Sequence, residues 1–75
     1  VLVNVRVARK LPFDEVPEIR AASEELEKEI EGSGRLLLRY SGTENLARVM
    51  IEGRDQSEIE AQAGRLAEVI RAALG

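Results

Sequence analysis

Seventy-five residues carrying 11 Lys and Arg against 14 Asp and Glu give a net charge of −3, and a chain that short forms one small domain, which buries only about 60% of the surface its unfolded form exposes. With 44% hydrophobic and 33% charged residues and no Pro- or Ser-rich tract, the composition is that of a globular domain and not of a disordered linker. The absence of Cys and His excludes disulfides, thiolate or imidazole metal sites, thiol nucleophiles and imidazole acid–base chemistry, and the acidic balance argues against nucleic acid as a partner. No apolar run approaches the roughly 20 residues of a membrane span and no signal peptide is evident, so the expectation is a cytoplasmic chain with no membrane partner. The sequence opens inside a strand pattern at Val1, as a domain cut from a longer polypeptide would.

Val1, Val3, Val5 and Val7 alternate with Leu2, Asn4, Arg6 and Ala8, a period of two that predicts a strand with one buried face. Pro12 breaks the chain and Pro17 falls where the first turn of a helix tolerates it. Val16, Ile19, Ala22, Ser23, Leu26 and Ile30 then recur at steps of three and four, which predicts an amphipathic helix over about residues 15–31. Gly32-Ser33-Gly34 ends it. Leu36 to Leu38 lead into Tyr40 as a second strand, and Ala47, Val49 and Ile51 alternate in a third, with the polar loop Ser41–Asn45 between them; two strands joined in this way form a hairpin. Asp55-Gln56-Ser57-Glu58 resembles a capping box, after which Ile59, Ala63, Leu66, Ile70 and Leu74 mark the buried stripe of a helix running to about Ala73. The order strand-helix-strand-strand-helix predicts a single α+β domain over residues 1–75, a two-layer sandwich with both helices on one face of a small, mainly antiparallel sheet.

The charged helical residues read as solvated faces. The hairpin differs. Arg39 precedes the loop, Ser41, Gly42 and Thr43 lie in it, and Arg48 follows it; alternation puts Arg39 and Ser41 on one side, where Arg48 joins them if the hairpin closes in the usual register. Two guanidinium forks, two hydroxyls and the backbone amides around Gly42 would suit a phosphate. The same residue types also make an ordinary turn, and spacing alone leaves both readings open.

The stretch Gly34-Arg35-Leu36-Leu37-Leu38-Arg39-Tyr40-Ser41-Gly42-Thr43-Glu44-Asn45-Leu46-Ala47-Arg48-Val49-Met50-Ile51-Glu52-Gly53 resembles the signature of the C-terminal domain of the α-D-phosphohexomutases, nearest to the bacterial members that act on glucosamine phosphates. Asn4-Val5-Arg6-Val7 resembles that domain's opening strand, so the resemblance covers essentially the whole chain. It implies the TATA-box-binding-protein-like fold of those domains, and a substrate-phosphate site at Arg39, Ser41, Gly42 and Thr43 supported by Arg48. Glu44 and Asn45 are implied to shape the loop, since a carboxylate beside phosphate would repel it. Tyr40 and Asn45 stand where the family commonly has Pro, which predicts a looser free loop.

The resemblance further implies a parent enzyme that interconverts glucosamine 6-phosphate and glucosamine 1-phosphate through a phosphoserine with Mg2+, in cell-wall precursor synthesis. The phosphosugar and the upstream domains of the parent chain are the implied partners. The phosphoserine loop and the Asp-rich magnesium loop have no counterpart here, so the expectation for these residues is no catalytic residue, no metal and no cofactor. The alternatives are the same domain of a phosphomannomutase or phosphoglucomutase, or a non-enzymatic α+β interaction module. One Phe, one Tyr and no Trp leave too little stacking surface for an RNA-binding version of the last.

Overall fold

The computed structural model describes all residues, Val1–Gly75. The alternating opening segment forms strand β1 (Leu2–Arg6), and a 3₁₀ turn (Phe13–Glu15) leads into helix α1 (Pro17–Glu29). The hairpin strands are β2 (Arg35–Tyr40) and β3 (Leu46–Glu52), followed by helix α2 (Gln56–Leu74). The sheet is antiparallel throughout with strand order β1-β3-β2, so the last strand in sequence is the central one. Its neighbours on either side come from a local hairpin and from the distant N-terminus.

Period-two alternation divides the sheet into two faces. Val5, Ala47, Val49 and Ile51 point into the helix-covered face and are buried, joined by the partly buried Val3, Leu36, Leu38 and Tyr40. Against them pack Ile19 and Leu26 of α1 and the stripe Ile59, Ala63, Leu66, Ile70 and Leu74 of α2, all in a single core cluster. The expected helix stripes are therefore the buried ones. Gln62 is also buried, at 2% exposure, and its Nε2 donates to Glu29 Oε1 at 3.0 Å across the helix pair.

Helix boundaries follow from the chain's own caps. α1 starts later than the pattern of apolar residues suggests, because the Phe13–Glu15 turn occupies the approach and Pro17, with fixed φ and no N–H, takes a position in the first turn. Its far end is closed by Gly32 at φ 81°, while the Ser33 and Gly34 amides both donate to the Ile30 carbonyl at 2.9 Å. At α2, Asp55 Oδ1 accepts from the Glu58 amide at 3.1 Å and from Ser57 Oγ at 3.0 Å. Only one half of the capping box is made, since Glu58 does not reach back to the Asp55 amide.

Candidate anion-binding site

Helices cover only one face of the sheet, so the outward residues of all three strands form an open face. The register sets them in rows. Arg35 lies opposite Glu52; Leu2, Met50 and Leu37 form the next row; Asn4, Arg48 and Arg39 the third; Arg6 lies opposite Leu46 beside the hairpin loop. Arg39 and Arg48, predicted to share a side, are thus directly opposed on adjacent strands. Like charges in that position destabilise a sheet, and neither guanidinium has an ion-pair partner; the chain's four ion pairs are Arg20–Glu24, Arg35–Glu52, Arg65–Glu29 and Arg71–Glu68. The one carboxylate on the open face, Glu52, is held by Arg35 at 3.0 Å in the row farthest from the loop.

The loop 41–45 is organised by Ser41. This residue stands one position beyond β2, its amide donates to the Leu46 carbonyl at 2.9 Å, and its side chain is turned inward to 6% exposure. Ser41 Oγ accepts from the Thr43 amide at 3.3 Å and from the Glu44 amide at 3.1 Å. Whereas Arg39 is exposed, Ser41 is drawn in by those two amides, because strand alternation stops at Tyr40. A hydroxyl has two acceptor lone pairs and one proton, so both lone pairs are engaged and the proton is its remaining hydrogen-bonding capacity. The amides of Gly42 and Asn45 donate to nothing within the chain. Thr43 and Glu44 are exposed.

Gly42 is not a glycine for the sake of this fold. Its φ is not in the positive region, and a Cβ built on it meets nothing within 4 Å. By contrast, a Cβ on Gly34 would lie 2.0 Å from the Glu52 carbonyl oxygen, a close backbone approach that only glycine permits. An unobstructed Gly42 leaves the loop amides open to a group from outside.

The connection between β1 and α1 braces the loop, a role local sequence patterns did not reveal. Lys10 Nζ donates to the Ser41 carbonyl at 2.7 Å, and Tyr40 Oη donates to the Leu11 carbonyl. Phe13 stacks on Tyr40 with ring centroids 4.3 Å apart. Burial pushes the Tyr40 hydroxyl above its ordinary pKa, so it stays a neutral donor at physiological pH. Tyr40 thereby restrains the loop's first strand by packing, which offsets the looseness expected from the missing Pro. Local pattern marks neither Lys10 nor Arg6, because it is the long-range pairing of β1 with β3 that brings them beside the loop; the basic Arg9-Lys10 pair after the first strand is the one local signal. Arg48 and Arg39, separated by a short hairpin, needed no such information.

Residues 2–69 match the family described as "Phosphoglucomutase/phosphomannomutase, C-terminal domain". The phosphoglucosamine mutase of Solidesulfovibrio magneticus is 56% identical over 73 residues, covering 97% of this chain and 16% of that protein. That of Citrifermentans bemidjiense is 45% identical over 75 residues, covering 100% and 16%. Among solved structures, N-acetylphosphoglucosamine mutase of Aspergillus fumigatus in complex with GlcNAc-6P and magnesium superposes with a TM-score of 0.77 at 32% identity, covering 100% of this chain and 16% of that one. The chain spans about one sixth of the length of the curated relatives it matches. No group of three or more acidic side chains converges within it to hold a metal, and no helix is long and apolar enough to cross a membrane.

Proposed function

This chain belongs to the phosphoglucomutase/phosphomannomutase family as its C-terminal domain, and on that premise we propose that it grips the substrate phosphate in a cytoplasmic phosphoglucosamine mutase. Arg39 and Arg48 supply the two guanidinium forks, Thr43 its hydroxyl proton and the chain at Gly42 its free amide, while Ser41, buried with its Oγ already accepting from two loop amides, shapes the loop that carries them. Glu44 and Asn45 set the shape of the loop. The observation that carries the reading is the Arg39–Arg48 pair, placed directly opposite with no carboxylate to balance it. A phosphate dianion removes that repulsion and accepts from both forks.

The parent reaction is the interconversion of glucosamine 6-phosphate and glucosamine 1-phosphate. The glucosamine specificity is favoured by the relatives, since those that span nearly this whole chain at 45–56% identity are phosphoglucosamine mutases. The chemical step, its phosphoserine and its magnesium lie in the upstream domains, which with the phosphosugar are this domain's partners. What these 75 residues contribute is positioning. Holding the phosphate that is not being transferred fixes the sugar's other end against the reacting group, and fixed donors stabilise charge there without reorganising.

The test is Arg39→Ala against Arg71→Ala in the full-length enzyme. Arg71 sits on α2, paired with Glu68 and away from the open face. Losing a charge-assisted bidentate contact costs about 1.5–3 kcal/mol, so Arg39→Ala is expected to weaken glucosamine 6-phosphate binding roughly 10- to 150-fold while Arg71→Ala leaves it within a factor of two or so. Equal losses from the two would place the phosphate elsewhere.

A further inference from the structure

Arg6 takes no part in the pattern Arg39-x-Ser41-Gly42-Thr43, yet the sheet brings it to the same place. In the β1–β3 register Arg6 pairs with Leu46 and Asn4 with Arg48, so Arg6 is the diagonal neighbour of Arg48 on the open face. Diagonal neighbours lie about 7–8 Å apart, within reach of long side chains. Beyond Leu46 in the same row is Ser41, whose amide bonds the Leu46 carbonyl at 2.9 Å, and Val7, the residue just past β1, donates to the Asn45 carbonyl at 2.9 Å. Arg6 thus stands closer along the sheet to the loop than Arg39 or Arg48 does. It is exposed and has no ion-pair partner.

We propose that Arg6 is the third guanidinium of the anion site, binding the phosphate from the side opposite Arg39 and making the site selective for the dianionic form. The inference rests on the phosphate-binding reading above. Three arginines share one end of a face whose only carboxylate is tied up at the other end, in a chain whose net charge is −3. Arg39 and Arg48 together balance a dianion; Arg6 adds an excess positive charge, which lowers the pKa of a bound phosphate and so favours the dianion over the monoanion. Asn4, opposite Arg48 in the same row, leaves the neighbouring position neutral and places no carboxylate between the two arginines.

The experiment compares Arg6→Gln, Arg6→Lys, Arg39→Ala and the charge-matched control Arg54→Gln in the full-length enzyme. Arg54 is likewise exposed and unpaired but follows β3 at the opposite end of the sheet. Calorimetric affinity for glucosamine 6-phosphate is read against pH and salt. Arg6→Gln is expected to weaken binding about tenfold at neutral pH, to lower the slope of log Kd against log salt, and to make affinity fall less as pH drops below about 6, where a phosphate ester takes up its second proton, because a site less selective for the dianion loses less when the ester is protonated. Arg6→Lys should restore the pH profile and part of the affinity, keeping the charge and losing the fork. If Arg6→Gln behaves like Arg54→Gln while Arg39→Ala binds weakly, the third guanidinium is refuted and the two-arginine site stands. If neither Arg6→Gln nor Arg39→Ala weakens binding, the phosphate site itself is refuted. A tenfold loss with an unchanged pH profile also overturns the proposal, since a purely structural role would produce it.

Discussion

Substituting Gly42 by Ala separates what the fold needs from what the ligand needs. The backbone at Gly42 is not in the left-handed region, and an added Cβ meets no atom within 4 Å, so alanine fits without strain. Alanine in a strain-free position narrows the unfolded ensemble and stabilises by about 0.4–1 kcal/mol. For a domain of this size 1 kcal/mol moves the melting temperature by roughly 4–8 °C, so a rise of about 2–8 °C is expected in melts of the 75-residue chain. On the phosphate-binding reading, however, the added methyl would crowd a phosphate approaching the Gly42 amide, which has no acceptor of its own in the chain. Loss of that charge-assisted contact weakens phosphate affinity roughly 10- to 150-fold, read from amide-shift titrations with inorganic phosphate. The two effects have opposite signs. A melting temperature that falls would mean that the fold itself requires glycine here, and an unchanged affinity would mean that no anion approaches this amide.

Two further substitutions probe the scaffold. Ile70 is fully buried between α2 and the sheet; Ile70→Ala should cost about 2–5 kcal/mol, a large share of the roughly 4–11 kcal/mol available to 75 residues, and a urea midpoint reduced by less than a tenth would contradict the core described here. Asp55 has its carboxyl held below the ordinary carboxylate range by the Glu58 amide and then by the Ser57 hydroxyl. With its folded pKa depressed, its contribution is complete above the unfolded value near 4 and is lost as pH falls through the folded one, where the unfolded chain binds more protons. Asp55→Asn keeps a good cap but removes that titration, so the variant's melting temperature should depend less steeply on pH below about 4; an identical acid limb in both proteins would show that Asp55 does not titrate with folding.

The elements were legible because each rests on a period inside its own segment: Val3, Val5 and Val7 on one side of a strand, Ile59, Ala63, Leu66, Ile70 and Leu74 on one side of a helix. The pairing of Arg39 with Arg48 was legible for a related reason, since a short hairpin leaves few registers in which Leu38, Tyr40, Ala47 and Val49 all face the core. The order β1-β3-β2 has no such local cause. It depends on the N-terminal strand choosing the free edge of β3 over that of β2, a choice governed by how α1 and α2 cover the face beneath. Arg6, Lys10 and the Tyr40–Phe13 stack all follow from that choice and were invisible without it.

The inward turn of Ser41 was hidden for a different reason: alternation predicts a side chain's direction only while the ladder lasts, and the ladder ends at Tyr40. Beyond that point two orphan amides, not the pleat, decide where the hydroxyl goes. These hidden features share one consequence. The residues that stabilise the domain lie on the helix-covered face, so the open face can carry like-charged arginines that weaken the free chain. Such a face is tolerable because the core beneath it is independent of it, and on the phosphate-binding reading proposed above a bound anion would offset the repulsion.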